Sequence, residues 1–307
     1  MIDLWTSPGD WLRCALHAHT TESDGELTPD GLAAHYARAG YDVLAITDHR
    51  VVTEPPEQEG LLTIAAVELN CVLPGDRDGH VLGFGLDVPE DERAEMRTAW
   101  PSLGEVGDWI RSRGGVSYLA HPYWTGVVPG SLELPESVTG IEVYNAGCEL
   151  EIGRGLSSVH WDAWLEGGRL CPAIATDDSH HPGFDSGFAW TWVRAAERSV
   201  EAVVAALAAG RCYGSCGPEL HDVRRDGGAV VVRCSPARSV TLVSVPRVGA
   251  AVNAGRLGYT YDAEVLERDP AGSITAARLE LAGLGDYARV EVTDAAGCRA
   301  WTNPVAV

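Results

Sequence analysis

Leu16-His17-Ala18-His19-Thr20-Thr21-Glu22-Ser23-Asp24-Gly25 is the stretch from which the rest of the chain is read. The apolar residues before it, 11–16, predict a short buried strand that leaves His17 and His19 at its end. Side chains two apart on a strand point the same way, so both imidazoles reach one point in space. Convergent imidazoles with carboxylates nearby suit Zn, Mn or Fe. Downstream, Ile46-Thr47-Asp48-His49 repeats the device, a short apolar strand at 43–46 delivering Asp48 and His49.

The pattern continues along the chain. Residues 61–67 read as a strand ending at Glu68, and His80 opens a Val-Leu-Gly-Phe run. Residues 116–120 lead to His121-Pro122, residues 141–145 carry Glu142 and Asn145, and residues 172–176 end in Asp177-Asp178-Ser179-His180-His181. Helical signals lie between them. Thr28-Pro29-Asp30 reads as N-cap, first helical residue and acidic first turn of a helix stopped at Gly40. Ser102 and Glu105 form a capping box, residues 149–166 read as one helix, and Ser199 caps another stopped at Gly210. Alternating strands and helices, with strands apolar on both faces, predict a parallel α/β barrel or a doubly wound sheet. The positions of the His, Asp and Glu residues favour the barrel. They fall just past successive strand ends, and in a barrel those ends ring one mouth, whereas an open sheet spreads them along an edge. A distorted α/β barrel with fewer than eight regular repeats is the expectation.

The 307 residues suffice for two domains. Near Gly217-Pro218 the pattern changes to short alternating runs, at 229–233, 240–245 and 289–293, separated by turns such as Asp226-Gly227-Gly228. The chain is therefore divided into a barrel, residues 1–217, and a small antiparallel β-sandwich, residues 218–307. The net charge of -21 argues against a nucleic-acid groove, because duplex binding needs clustered cations. All 23 basic residues are Arg, and there is no Lys. The eight Cys show no paired metal-binding spacing and read as reduced, mostly buried apolar residues. No signal peptide is expected at the N-terminus, and no apolar run approaches the ~20 residues of a membrane span. The expected location is cytoplasmic, away from membranes.

Six His (17, 19, 49, 80, 121, 180) and three carboxylates (Asp24, Glu68, Asp178) make up the candidate set. This exceeds what one tetrahedral ion uses and suits two or three ions, with Glu68 able to bridge. Piece by piece the chain resembles the polymerase-and-histidinol-phosphatase (PHP) superfamily. The matching pieces are His17-x-His19, Ser23-Asp24-Gly25, Thr47-Asp48-His49, Glu68, His80, Ala120-His121-Pro122 and Asp178-x-His180, spanning residues 12–216. The resemblance implies a distorted barrel of about seven strands, a (β/α)7-type fold. It also implies a first metal held by His17, His19, Glu68 and Asp178, and a second by Glu68, His80 and His121. A third would be held by Asp24, His49 and His180. Relatives often use His where this chain has Asp24, so the third site is harder and richer in oxygen. The β-rich tail looks like the accessory domain of a stand-alone branch of that superfamily.

The expected activity is hydrolysis of small phosphate esters by a hydroxide bridging two ions of a di- or trinuclear site. Two or three divalent transition ions, Zn, Mn or Fe, are the implied cofactors. Glu68 would position the hydroxide, and His181 would serve as leaving-group acid. Arg50 would bind a substrate phosphate, and Glu142 and Asn145 would line the mouth on the substrate side or orient the ligands. Three other readings compete: a carboxylic ester or carbamate hydrolase at the same ions, a Lys-free variant of the amidohydrolase class, and a non-catalytic metal-binding scaffold whose sandwich binds a partner. The sequence leaves the oligomeric state open.

Overall fold

A computed structural model describes residues 5, 7–93, 101–244, 248–253 and 260–306. It divides into two compact units, Pro8–Gly214 and Ser215–Val307, the latter taking in Met1–Ser7.

The first unit is built on β1 (Asp10–Ala15), β2 (Val43–Ile46), β3 (Leu62–Leu73), β4 (Arg77–Phe84), β5 (Val116–Leu119), β6 (Gly140–Asn145), β7 (Ala173–Thr176), β8 (Trp190–Ala195) and β9 (Cys212–Ser215). Their order is β9-β8-β1-β2-β3-β4-β5-β6-β7. Alternate residues of these strands, Leu12, Cys14 and Leu16, then Val43 and Ala45, Ile64 and Ala66, Leu82 and Phe84, Tyr118 and Ala120, turn inward into one buried core. Burying each large apolar side chain stabilises the fold by about 1.5–3 kcal/mol. The opposite face of β1 and β2 is covered by α1 (Pro29–Arg38), through Leu32, Ala33 and Tyr36 packed with Leu44 and Ile46. Thr28 caps that helix by accepting from Gly31 N, as the Thr-Pro-Asp signal requires. The helices α2 (Leu103–Ser112), α3 (Ala146–Ile152), α4 (Ser158–Glu166), α5 (Pro182–Asp185) and α6 (Val200–Ala208) complete the unit.

The sheet departs from the parallel expectation in two places. β1 to β3 run parallel, as do β5 to β7, but β4 is antiparallel to both β3 and β5, and β8 is antiparallel to β1. Residues 61–67 therefore do not end at Glu68. β3 runs five residues further to Leu73, and the Pro74-Gly75-Asp76 turn returns the chain so that Asn70 pairs with His80. The expected helix at 149–166 is two helices. Gly153 closes α3 in the left-handed conformation, and a Cβ on Gly155 would lie 2.2 Å from the Asn145 carbonyl oxygen. Among the described residues the ladder follows the open path given above. β7, at one end of this path, meets β8 through one side chain: Thr191 Oγ1 accepts from Ala175 N at 3.1 Å and donates to Ala175 O at 2.8 Å.

The second unit comprises β10 (Leu220–Asp226), β11 (Ala229–Ala237), β12 (Ser239–Ser244), β13 (Val248–Asn253), β14 (Thr260–Tyr261), β15 (Ala263–Arg268), β16 (Ile274–Glu280), β17 (Tyr287–Thr293), β18 (Arg299–Thr302) and β19 (Val305–Ala306). They form two antiparallel sheets, β10-β11-β16-β15 and β14-β13-β12-β17-β18, with β19 on β17. The Asp226-Gly227-Gly228 signal makes the β10–β11 hairpin, Asp226 pairing with Ala229. Residue 245, the last of an expected run, lies outside the described residues. No described helix is long and apolar enough to cross a membrane.

Candidate metal centre

Past β1, the main chain at His17–His19 lies against the continuation of β7. His19 N donates to Ser179 O at 2.8 Å, and Asp178 N donates to His17 O at 3.0 Å. This pairing sets the HxH motif and the Asp178-x-His180 motif side by side. Glu68 joins them from β3, whose Glu68 is bridged to His49. The segment Thr20–Gly25 folds back tightly, Gly25 N donating to Thr20 O at 2.9 Å. Only glycine fits there, because a Cβ on Gly25 would lie 2.2 Å from the His19 carbonyl oxygen. Arg50, His121 and Asp178 adopt positive φ angles of 57°, 28° and 56°. Left-handed backbone is costly for such residues and clusters at functional sites.

Three overlapping donor groups result. They are His17, His19, Glu68 and Asp178; His19, Asp24, His49 and His180; and His49, Glu68 and His80, the donor atoms of each lying within 4.8 Å of one another. In the first, His17 Nε2 is 3.2 Å from Glu68 Oε2 and 3.1 Å from Asp178 Oδ1, and His19 Nε2 is 3.3 and 3.2 Å from the same atoms. Donors about 2.0–2.1 Å from a shared tetrahedral centre are themselves spaced by about 3.3 Å, so this group has the dimensions of a coordination shell. His17 Nε2, His19 Nε2, His80 Nδ1 and Asp178 Oδ1 are all buried and make no hydrogen bond. Buried polar atoms are rarely left unmatched, and a cation is what this donor set fits. Glu68 divides its two oxygens. Oε2 faces His17, His19 and His49, the last at 3.1 Å, while Oε1 faces His80 at 2.9 Å and His121 at 3.2 Å. Asp24 is half exposed and approaches His180 Nε2 at 3.4 Å and His49 Nε2 at 3.6 Å.

Two fully buried carboxylates outside the donor set hold it in place. Glu142 Oε1 lies 2.7 Å from His17 Nδ1 and accepts from Thr176 Oγ1 at 2.6 Å; its Oε2 accepts from His121 N and Asn145 Nδ2. Asn145 also donates to Asp178 Oδ2 at 3.0 Å and caps α3 through Cys148 N. Glu142 and Asn145 are completely buried behind the donors, so they do not line the mouth, and their hydrogen bonds run instead to His17, His121 and Asp178. Asp48 accepts from Thr20 N, Thr20 Oγ1, Ser23 Oγ and Thr53 Oγ1, tying down the turn that carries Asp24. Sequence reading placed Asp48 in the Thr-Asp-His motif without giving it this task. A carboxylate three residues from an Asn-capped helix and one beside a ligand His were the available signals for Glu142 and Asp48.

Charge within the ion-free cluster is strongly redistributed. Burial opposes protonation of His17, but the carboxylates of Asp178, Glu68 and Glu142 overcome it and hold the imidazole pKa well above its ordinary value. His19, equally buried, is raised to about 9 by Asp178 and Glu68. Burial also opposes ionisation of Glu68, yet His17, His80 and His49 hold it well below the usual carboxylate range. Asp178 is likewise depressed against its burial, chiefly by His17 and His19. His49 goes the other way: its burial, with His19 and His80 nearby, outweighs Glu68 and Asp24 and lowers its pKa.

A cavity of about 820 Å³ opens over the donors, lined by Asp24, His49, Glu68, His80, His121 and His180 below and by Trp124, Leu150, Glu151, His181 and Phe184 around the rim. Trp124 meets the His121 ring edge-on at 5.0 Å and donates from Nε1 to Glu151 Oε2 at 2.8 Å. His181 is exposed at this rim, with Nδ1 3.6 Å from Glu26 Oε2. Arg50 is not among the residues lining the cavity; its N–H donates to the Glu68 carbonyl oxygen.

No family model matches the chain. A 5'-3' exoribonuclease of Haemophilus influenzae is 29% identical over 110 residues, 32% of this chain and 40% of that protein. The 5'-3' exoribonuclease Rnm of Salmonella typhimurium is 32% identical over 81 residues, 24% of this chain and 27% of that protein. The chain thus matches less than half the length of either curated relative. Among solved structures, a two-domain protein from Bacteroides vulgatus containing a predicted PHP-like metal-dependent phosphoesterase superposes with a TM-score of 0.50 at 16% identity. That match covers 93% of this chain and 91% of the other. The likeness to that structure is one of fold, and this chain carries a buried His, Asp and Glu cluster of the kind a metal site needs.

Proposed function

We propose that this chain is a metal-dependent hydrolase of phosphate esters. The observation that carries the reading is Glu68, buried with its two oxygens turned to two sets of imidazoles, beside donor atoms that lack any hydrogen bond. His17, His19, Glu68 and Asp178 would hold one ion, Glu68, His80 and His121 a second, and Asp24, His49 and His180 a third. When bound, such ions acidify a water and offset charge on phosphoryl oxygens.

The chain's own residues do the rest. Glu142 fixes the ring of His17 by its bond to Nδ1, which leaves Nε2 as the donor. Asp48 holds the Thr20–Gly25 turn so that Asp24 stays at the mouth. His181, exposed at the rim, hands a proton to the leaving oxygen. Trp124, Leu150 and Phe184 give the leaving group an apolar wall and keep water from its outer side. The barrel, residues 1–217, carries all of these residues, and the sandwich at 218–307 is accessory.

The two exoribonuclease matches favour a narrower version in which the ester lies at the end of a nucleic acid strand. A net charge of -21 opposes broad duplex binding but not entry of one chain end. The test is metal analysis of the purified protein followed by turnover of p-nitrophenyl phosphate and p-nitrophenyl acetate with Mn, Zn or Fe added. Phosphate turnover lost to chelator and restored by one of these ions is expected. Acetate turnover that greatly exceeds phosphate turnover would give the site to carboxylic esters instead, a reading favoured by the lack of Arg among the described residues that line the cavity.

A further inference from the structure

A second cavity, of about 490 Å³, is lined by Tyr123, Val127, Val128, Arg154, Leu156 and His160 among others. It is made by the same two segments as the first. Tyr123 precedes Trp124 in the turn after His121-Pro122, and Arg154 and Leu156 follow Leu150 and Glu151 at the end of α3. The Trp124–Glu151 hydrogen bond joins these two segments. Neighbouring Cα atoms are about 3.8 Å apart, so the Tyr123 and Trp124 rings hang from adjacent points.

Three groups of its lining matter here. The Arg154 guanidinium carbon lies 5.5 Å from the Tyr123 ring centroid, and among the described residues no carboxylate meets this cation. His160 is buried, and its Nε2 lies 2.7 Å from the Val127 carbonyl oxygen, an acceptor, so Nε2 carries the proton. Nδ1 is left as a lone pair, buried and without a partner. The Tyr123 face, with Val128 and Val159, remains exposed. A flat ring, an N–H donor for His160 and an anion for Arg154 are the complement of these groups.

We infer that this cavity is a nucleotide subsite: it takes a nucleobase against Tyr123, with its exocyclic or ring N–H toward His160 and its phosphate toward Arg154. Resting on the phosphate-ester reading, this makes the substrate a short single strand whose scissile phosphate sits at the donor cluster and whose neighbouring nucleotide occupies the second cavity. Aromatic stacking and a single cation suit a flexible strand and carry little sequence preference.

Two measurements on the full chain test it. Saturation-transfer NMR with adenosine 5'-monophosphate on the chelator-treated protein reads occupancy without turnover. Transfer to the adenine protons is expected and should fall severalfold in Val159→Trp, which fills the cavity from an exposed position. On the metal-loaded protein, Tyr123→Leu and Arg154→Gln should each lower kcat/KM for the dinucleotide pApA about tenfold, in line with one lost stacking or phosphate contact, while p-nitrophenyl phosphate turnover stays within twofold. Adenine transfer unchanged by Val159→Trp, or variants that affect both substrates equally, would overturn the subsite while leaving the hydrolase standing. If neither substrate is turned over, the hydrolase reading fails, and the NMR result alone decides whether the cavity binds nucleotides.

Discussion

Glu68 is the residue that two of the three donor groups share, and its two oxygens face different imidazoles. Glu68→Gln keeps the size but loses the charge and the second anionic oxygen. Bound metal per chain should fall, and kcat should drop at least about a hundredfold, comparable to removal of other strong electrostatic stabilisation. Asp24→Asn, at the exposed edge, should cost less. Wild-type turnover in Glu68→Gln with its metal content intact would remove the bridging role. Glu142→Gln tests positioning. The amide can hold only part of the bonding to His17, His121 and Thr176, so metal affinity should fall about 10–100-fold, read by competition with a chelating dye. Protons give a third check at this scale. In the ion-free cluster His17 is held protonated and His19 has a pKa of about 9, so metal uptake must expel protons. Affinity should therefore rise with pH through the range in which these two imidazoles give up their protons. Calorimetry at pH 7 in two buffers of different ionisation enthalpy measures the release, and identical heats in both would contradict it.

At the scale of elements, the turn Thr20–Gly25 is the tightest part of the site. Gly25→Ala pushes a Cβ against the His19 carbonyl, which must shift or strain. Overpacking of this kind costs about 1–3 kcal/mol. Urea unfolding of the ion-free protein should show that loss, and metal analysis should show reduced binding in the group that contains Asp24. Local signals made several elements legible before the structure was known. Thr28-Pro29 and Ser102…Glu105 state helix starts through capping chemistry that acts within four residues. The donors were legible for a related reason, because strand ends mark where side chains emerge. The β3–β4 hairpin was not. Its long apolar strand looks like others that end at a mouth, and pairing partners are chosen by tertiary packing that leaves no periodic trace. The break at Gly153–Gly155 was hidden because apolar spacing continues across it, although glycine at a helix end is a known stop. Whether Glu142 and Asn145 line the mouth or stand behind the ligands was not legible, because polar residues are usually exposed and only the assembled network shows what satisfies them.

For the whole molecule, the charge balance matters most. With a net charge of -21, bound cations relieve repulsion as well as completing the site. Ligands that bind only the folded state add about 2.7 kcal/mol at a hundredfold excess over Kd. For a unit of 150–250 residues, each kcal/mol moves Tm by about 2–4 °C. Chelation should therefore lower the melting temperature by roughly 5–10 °C, and re-addition of the native ion should restore it. A calorimetric transition that ignores chelator would show that the donor cluster holds no ion in the folded protein.

The divided carboxylate of Glu68 carries a consequence for magnetism. A carboxylate that joins two paramagnetic ions passes spin exchange between them, so ions loaded there do not behave as separate spins. With Mn(II) added, the paramagnetic resonance spectrum should depart from the six-line pattern of an isolated ion and change with temperature as the coupled levels fill. Replacing Glu68 by Gln should return any remaining Mn(II) to the isolated pattern, which makes the two oxygens of one buried side chain visible without reference to any substrate.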